Sequence, residues 1–413
     1  MSATAIFLVQ ALVVLALPVA LWRIARLRHA LPLAVVQILV GIVLGPSLLG
    51  RLAPELVAPL ISPQALAPLS GIATLAVILF AFVIGLHADV GLLRGRGPAL
   101  VWIGIGSAFL PTLLGAGAGL LLAHQYPETV GPQASAGEFA AAVGICAGVT
   151  ALPVLGAILL QMGLLRQRLG QLALACAAIN DALLWIFLAG LLAYGAGGQA
   201  GGGTFWPVLV GGPVYLLLVF GLVRPALARL ATSHAKEAGP DGLGLAAACA
   251  TALGSAAVTE ALGLHHVLGA FLAGIAMPGA ARRAILVRLE APVAVALMPF
   301  FFVLTGLRTT IDLGSDTFLA VFLLMTLAAT VGKFGGTALL ARAAGEGWPT
   351  ALGLGALMQT KGLMEVVVLT VVLDAGLIGP ATFSALVLMA LVSTAATMPL
   401  TRFVTRNEFS ERS

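Results

Sequence analysis

The fold is decided by the stretch "LGQLALACAAINDALLWIFLAGLLAY", residues 169–194. As a helix it is long enough to cross the hydrocarbon core of a bilayer, and its only charged residue is Asp181, which follows Asn180. A carboxylate at the bilayer centre costs about 2.5–3.5 kcal/mol on insertion scales, and such residues commonly mark an ion path or a proton relay. The stretch therefore predicts a membrane helix that carries a functional acid.

The whole chain has the composition of a protein that crosses the membrane many times. Of its 413 residues, 60% are hydrophobic and 9% are charged, and the mean hydropathy is +1.10, which lies outside the range of soluble domains. Long continuous apolar runs favour helices over a β-barrel, whose strands alternate. Basic residues follow the first apolar run and none precedes it, the reverse of a cleavable signal peptide. Cys146, Cys176 and Cys249 lack metal or disulfide spacing, which indicates packing positions.

We predict thirteen spans from these runs. Their limits are 4–22, 31–49, 64–86, 98–123, 138–162, 168–195, 204–231, 241–261, 263–279, 284–306, 316–344, 348–374 and 378–405. With the N-terminus outside, inner loops and the C-terminal tail hold 17 of the 21 basic residues, and outer loops hold only Arg51 and Arg308. This asymmetry predicts a cytoplasmic C-terminus in the cell membrane. The positive net charge follows from topology and does not indicate a nucleic-acid surface.

After the ends of the predicted spans are assigned to the loops, four charged residues remain in the interior of the spans: Asp181, Lys333, Lys361 and Glu365. Each lies near the middle of a span, and their formal charges sum to zero, so they can pair if spans 6, 11 and 12 meet. Two interpretations stay open at this point. One is a set of structural ion pairs, and the other is a transport path.

Spans 5 and 12 carry the signs of interrupted helices. Span 5 reads "GICAGVTALPVLGAIL" with Thr150 and Pro153, and span 12 reads "GLGALMQTKGLMEVVVL" with Gln359, Thr360 and Lys361. Interrupted helices at membrane depth are tolerated where they face protein or water. Spans 4–6 and 11–13 run in opposite directions, each with its interrupted span in the middle, as in transporters built from inverted repeats. We expect the two interruptions to cross beside span 6, with span 11 approaching from the other side.

Eight motifs in order resemble the monovalent cation:proton antiporter-2 family, in particular the branch with plant cation/H+ exchangers and bacterial sodium or potassium/proton antiporters. The resemblance covers nearly the whole chain. The motifs are "QILVGIVLGPSLLGRL" (37–52), "FAFVIGLHADV" (80–90), "GVTALPVLGAILLQMGLL" (148–165), "AAINDALLWIFLA" (177–189), "GLHHVLGAFLAGIAMP" (263–278), "MPFFFVLTGLRTTIDL" (298–313), "GKFGGT" (332–337) and "QTKGLMEVVVL" (359–369).

The resemblance implies a secondary transporter rather than an enzyme, with the sodium/proton antiporter fold. It implies that Asp181 binds the proton or the cation, with Asn180 and Thr150 beside it. Lys333 matches the basic residue of the eleventh span, and Lys361 matches the residue that compensates the facing helix ends. Family members are typically homodimers. The expected mobile core spans residues 98–195 and 316–405, and the expected static dimer part spans 1–86 and 204–306.

These roles suggest a cycle in which Asp181 is protonated, holds Na+ or K+, or pairs with Lys333. Oxygen atoms of Asp181, Asn180 and Thr150, with freed backbone carbonyls, suit a hard alkali cation, and we expect no cofactor. Asn-Asp members of the family are usually electroneutral. The chain ends at Ser413 soon after span 13 and has no Gly-rich nucleotide motif, so we expect a single transmembrane domain without a soluble regulatory domain.

Other readings of these residues stay open. Asn180 can form an interhelical hydrogen bond, and Thr150 can bond back to its own helix. Glu365 can pair with the lysine one turn before it, while Gln359 and Thr360 can line a cavity or cap the interruption. For the whole protein the alternatives are a cation-coupled symporter of an organic anion with a similar fold, and a sensor or channel. A symporter of that class usually needs two cation sites, and the sequence offers one strong carboxylate.

Overall fold

The computed structural model describes residues 2–24, 31–55, 62–88, 97–194, 202–227, 242–309 and 317–405. This part of the chain is helical, apart from one isolated β-bridge between Val130 and Ile378. The fifteen main helices are α1 (Ala3–Ile24), α2 (Leu33–Leu44), α3 (Pro63–His87), α4 (Gly97–Gln125), α5 (Ala136–Gly148), α6 (Leu152–Gln161), α7 (Arg168–Tyr194), α8 (Gly202–Leu218), α9 (Gly242–Ala261), α10 (His266–Ala276), α11 (Gly279–Ala291 continuing through a π-helical turn to Met298–Arg308), α12 (Phe318–Thr330 continuing through another to Thr337–Ala343), α13 (Trp348–Met358), α14 (Leu363–Asp374) and α15 (Pro380–Val404).

The predicted all-helical membrane fold is confirmed. Eleven segments of the described chain are long and apolar enough to cross a membrane. The two other predicted spans are present in shorter pieces: span 9 is the eleven-residue α10, and span 12 is divided into α13 and α14. The C-terminal end of the chain and the loops that hold Arg26, Arg94 and Lys236 lie outside the described residues, so these parts of the topology prediction remain predictions.

The interrupted helices lie at the centre of the molecule. In the segment Ala136–Gln161, which contains α5 and α6, 89% of the most apolar window is buried, against 17% for Thr4–Ile24 and 22% for Trp206–Leu227. Large apolar side chains of the peripheral helices are exposed, among them Leu12 and Leu217. In water such a surface would be unstable, so it is the surface expected to face lipid.

We divide the helices into two groups along the predicted core and dimer parts of the chain, although α8 of the second group packs mainly against α7 of the first. The core group, α4–α7 and α12–α15, has its closest contacts between α4 and α5, between α4 and α7, and between α12 and α15. The scaffold group, α1–α3 and α8–α11, is joined most closely through α3 with α10 and α2 with α11. Gly85 and Gly274 show why α3 and α10 approach so closely: a Cβ atom on either would overlap the backbone of the facing helix. Close backbone contact through small residues is the usual way in which membrane helices associate.

Candidate ion site

The first interruption separates α5 from α6 at residues 149–151. Val149 and Ala151 adopt extended backbone angles, and the N–H of Val149 bonds only back to the carbonyl of Cys146. Pro153 lies in the first turn of α6, where its missing N–H leaves no bond unmade. The predicted break at Thr150 and Pro153 is confirmed. It separates the two short helices α5 and α6 in the buried interior of the core group.

The second interruption separates α13 from α14 at residues 359–362. Gly362 has φ +73°, and a Cβ at this position would collide with the side chain of Val154. Both the conformation and the space therefore require glycine. The hydroxyl of Thr360 donates to the carbonyl of Leu357 at 2.8 Å. Thr360 thus caps the end of α13, one of the two roles expected for it, while Gln359 is buried beside it.

The two interruptions are hydrogen-bonded to each other. The hydroxyl of Thr150 donates to the carbonyl of Met358 at 2.9 Å, and the N–H of Ala151 donates to the carbonyl of Thr360 at 2.8 Å. The expected crossing of spans 5 and 12 is therefore present. Thr150 does not bond back to its own helix, and its oxygen lone pairs stay available because it acts here as a donor.

Lys361 occupies the negative end of α5. Its ammonium donates to the carbonyls of Cys146 and Ala147, both at 2.9 Å, and to a carboxylate oxygen of Glu365 at 3.1 Å. Lys361 and Glu365 are both almost completely buried. Helix C-termini carry partial negative charge and N-termini partial positive charge, so Lys361 neutralises the end of α5 while Glu365 lies in the first turn of α14. Lys361 thus lies at the helix end where the resemblance implies a compensating residue, and its i,i+4 pair with Glu365 is formed.

Asp181 and Asn180 lie on α7, which runs unbroken beside the crossing and packs against α5, α6 and α13. Asp181 is 1% exposed, and within the described chain neither carboxylate oxygen has a partner in full hydrogen-bond geometry. The amide nitrogen of Asn180 donates to the hydroxyl of Ser107 on α4 at 3.0 Å, whereas its oxygen atom is buried without a partner. Asn180 therefore makes the interhelical bond and still presents a free oxygen.

The pair between Asp181 and Lys333, one of the three states expected for Asp181, is not formed in this structure. Lys333 is fully buried in the π-helical turn of α12, and its ammonium has no hydrogen-bond partner among the residues that the structure describes. The π-helical turn that carries Lys333 packs against α4 and α13.

Two residues near the acid were missed by the sequence reasoning. Ser107 holds the amide of Asn180, and Trp185 lies one turn after Asp181 with its indole nitrogen buried. A signal for Trp185 was present in the sequence, since residues four apart on a helix are neighbours. Ser107 gave no such signal because it is one of several hydroxyl residues in apolar spans.

Comparison with known proteins decides the family. The model of the sodium/hydrogen exchanger transmembrane family matches residues 12–406. The chain belongs to this family. Among its exchanger relatives, cation/H+ antiporter 15 of Arabidopsis thaliana is 31% identical over 372 residues, covering 89% of this chain and 44% of the plant protein. The Na+/H+ antiporter NhaS4 of a Synechocystis strain is 31% identical over 377 residues, covering 90% of this chain and 91% of its own length.

The exchanger fold is also found in a solved structure. The sodium/proton antiporter MjNhaP1 of Methanocaldococcus jannaschii superposes with a TM-score of 0.59 at 15% identity, over 98% of each chain. At this identity the match concerns the fold alone. The chain spans less than half the length of the first curated relatives that it matches, so the relatives' activities inform a proposal and are not transferred outright.

Proposed function

We propose that the chain is a secondary transporter that exchanges Na+ or K+ for H+ across the cell membrane, with Asp181 as the site that both ions share. One observation carries this proposal. The two oxygens of Asp181 and the amide oxygen of Asn180 are buried at the middle of α7 without hydrogen-bond partners in the described chain. Unpaired acceptor oxygens at such a depth are costly, and a proton or a dehydrated alkali cation is what satisfies them.

The chemistry of exchange follows from this arrangement. A bare carboxylate at depth is unfavourable, so Asp181 changes sides of the membrane as the neutral acid or with a cation. Oxygen donors suit an alkali cation, and the lone pairs of Thr150 at the crossing add to those of Asn180. Because either partner neutralises the same single carboxylate, one proton replaces one monovalent cation, and the exchange is electroneutral.

The two packing groups support alternating access. The crossing, Lys361 and Asp181 all belong to the core group, which is held together by hydrogen bonds between its helices. We assign the core group as the moving part and the scaffold group as the static part and the homodimer surface, as in transporters that rock one bundle against the other. The proposed orientation has the N-terminus outside and the C-terminus in the cytoplasm.

The experiment is cation-triggered alkalinisation of acid-loaded proteoliposomes, read with a pH-sensitive dye. Na+ and K+ should each be tested, and Asp181→Asn should abolish the signal while the protein remains folded. Asp374→Asn is the matched control, because Asp374 is an exposed acid at the end of α14 and should leave exchange intact. Exchange at the normal rate in Asp181→Asn would refute the site, and a signal that needs an added organic anion would favour the symporter.

A further inference from the structure

Trp185 joins the ion site to the scaffold group. It lies four residues after Asp181 on α7, so the two side chains share one face of the helix. Its indole nitrogen is buried without a hydrogen-bond partner within the described chain, and so are both carboxylate oxygens of Asp181 one helical turn away. An indole N–H can only donate and a carboxylate can only accept, so the two groups are complementary.

The aromatic ring of Trp185 packs against the scaffold group. The ring of His265, which precedes α10, stacks on the indole with centroids 5.2 Å apart and an interplanar angle of 14°. The Nδ1 atom of His265 accepts the N–H of Val267 at 3.3 Å, which requires that this nitrogen is unprotonated. His265 is itself followed by His266, which bonds to Glu260 at the end of α9. The stack is therefore braced by the α9–α10 corner.

We propose that Trp185 is a positioning residue that closes one side of the ion site, holding the cation-free carboxylate of Asp181 through its N–H and resting on His265. This proposal rests on the proposed function, because it takes Asp181 as the ion-binding group. A bound cation repels the N–H donor, so the indole and the cation compete for the carboxylate. The contact between Trp185 and His265 must also separate when the core group moves relative to the scaffold group.

The competition gives a signed prediction for transport. Trp185→Phe keeps a ring on His265 and removes the N–H, so the cation-free carboxylate loses a stabilising donor. The apparent KM for Na+ or K+ should fall about tenfold, as expected for loss of one hydrogen bond to a charged group, and the maximal rate should fall with it because release is slower. Trp102→Phe is the control, since Trp102 is 59% exposed on α4 and should leave both constants unchanged.

A spectroscopic readout separates this role from mere packing. In a variant whose only tryptophan is Trp185, with the other four replaced by Phe, a cation titration should shift the emission in a saturable manner. Asp181→Asn in the same background should abolish the shift. Removing the stack with His265→Ala should raise quenching of Trp185 by iodide several-fold, whereas Arg308→Ala, remote in sequence from both rings, should not.

The outcomes are distinguishable. If Asp181→Asn stops exchange but Trp185→Phe behaves like Trp102→Phe and the Trp185 emission ignores the cation, the positioning role is wrong and the proposed function stands. If Asp181→Asn exchanges normally, the proposed function fails first. If His265→Ala leaves quenching unchanged, the stack does not cover Trp185 and the closing role is overturned. Each variant is first checked for a folded state by size-exclusion chromatography and thermal denaturation.

Discussion

At the scale of single residues, Thr150, Asn180 and Asp181 leave more hydrogen-bond acceptors than donors. The hydroxyl of Thr150 donates a hydrogen bond to the carbonyl of Met358, and the amide nitrogen of Asn180 donates one to the hydroxyl of Ser107. Both keep oxygen atoms for another partner, while Asp181 has only oxygen atoms to offer. A purely structural polar cluster would pair these acceptors with donors. An acceptor surplus at depth is what a cation-binding site requires.

Lys333 gives a prediction at this scale because its ammonium is buried without a hydrogen bond in the described chain. Replacing an unsatisfied buried polar group by an apolar one of similar shape is neutral or stabilising. Lys333→Met should therefore keep or raise the melting temperature in detergent, while it changes the pH dependence of exchange. Lys333→Arg serves as the charge-retaining comparison. A marked loss of stability in Lys333→Met together with normal transport would show instead that Lys333 is a structural ion-pair partner.

At the scale of elements, the crossing of the interrupted helices depends on Lys361. Removing one partner of a buried ion pair costs roughly 3–5 kcal/mol, because the other charge is left uncompensated. Lys361→Met leaves the carbonyls of Cys146 and Ala147 and the carboxylate of Glu365 without their donor. We expect it to lower the melting temperature strongly.

The double variant Lys361→Met, Glu365→Gln tests how this cost is divided. It removes the uncompensated charge but not the loss at the end of α5, so it should recover part of the stability of the single lysine variant. The coupling between the two positions should be about 0.5–3 kcal/mol in a double-mutant cycle. Strict additivity of the two single effects would mean that the ion pair contributes nothing beyond the bonds to the carbonyls.

The sequence was most informative about the membrane spans and the interruptions within them. Long apolar runs located the spans, and Pro153 and Gly362 located the interruptions, because their backbone effects are local. Whether Lys333 pairs with Asp181 during the cycle stays a prediction, since mid-span position gives depth but not the direction in which a side chain points. The bond from Asn180 to Ser107 was likewise out of reach, because it depends on the rotation of α4 against α7.

At the scale of the whole molecule, charge balance links the site to the membrane. The four charges in the interior of the predicted spans, Asp181, Lys333, Lys361 and Glu365, sum to zero only when Asp181 is ionised, and a bound proton or cation adds one positive charge to this set in either case. In the proposed exchange, the core group then has the same charge in its proton-loaded and cation-loaded forms. Movement of equal charge in opposite directions transports no net charge, so the membrane potential exerts no force on a complete cycle.

This equality of charge predicts that exchange in proteoliposomes is the same with and without an imposed membrane potential, clamped by an ionophore for an ion that the protein does not transport.

Asn180→Asp places a second acid beside Asp181 and allows a second proton to bind, so its exchange should become sensitive to the potential. Ser107→Ala is the matched control, because it removes the partner of Asn180 without adding a charge and should stay insensitive. A response to the membrane potential in the unmodified protein would contradict one-for-one exchange and would require a second titrating group in each cycle. Lys333 is the first candidate for that group, because its ammonium is already buried without a hydrogen bond in the described chain.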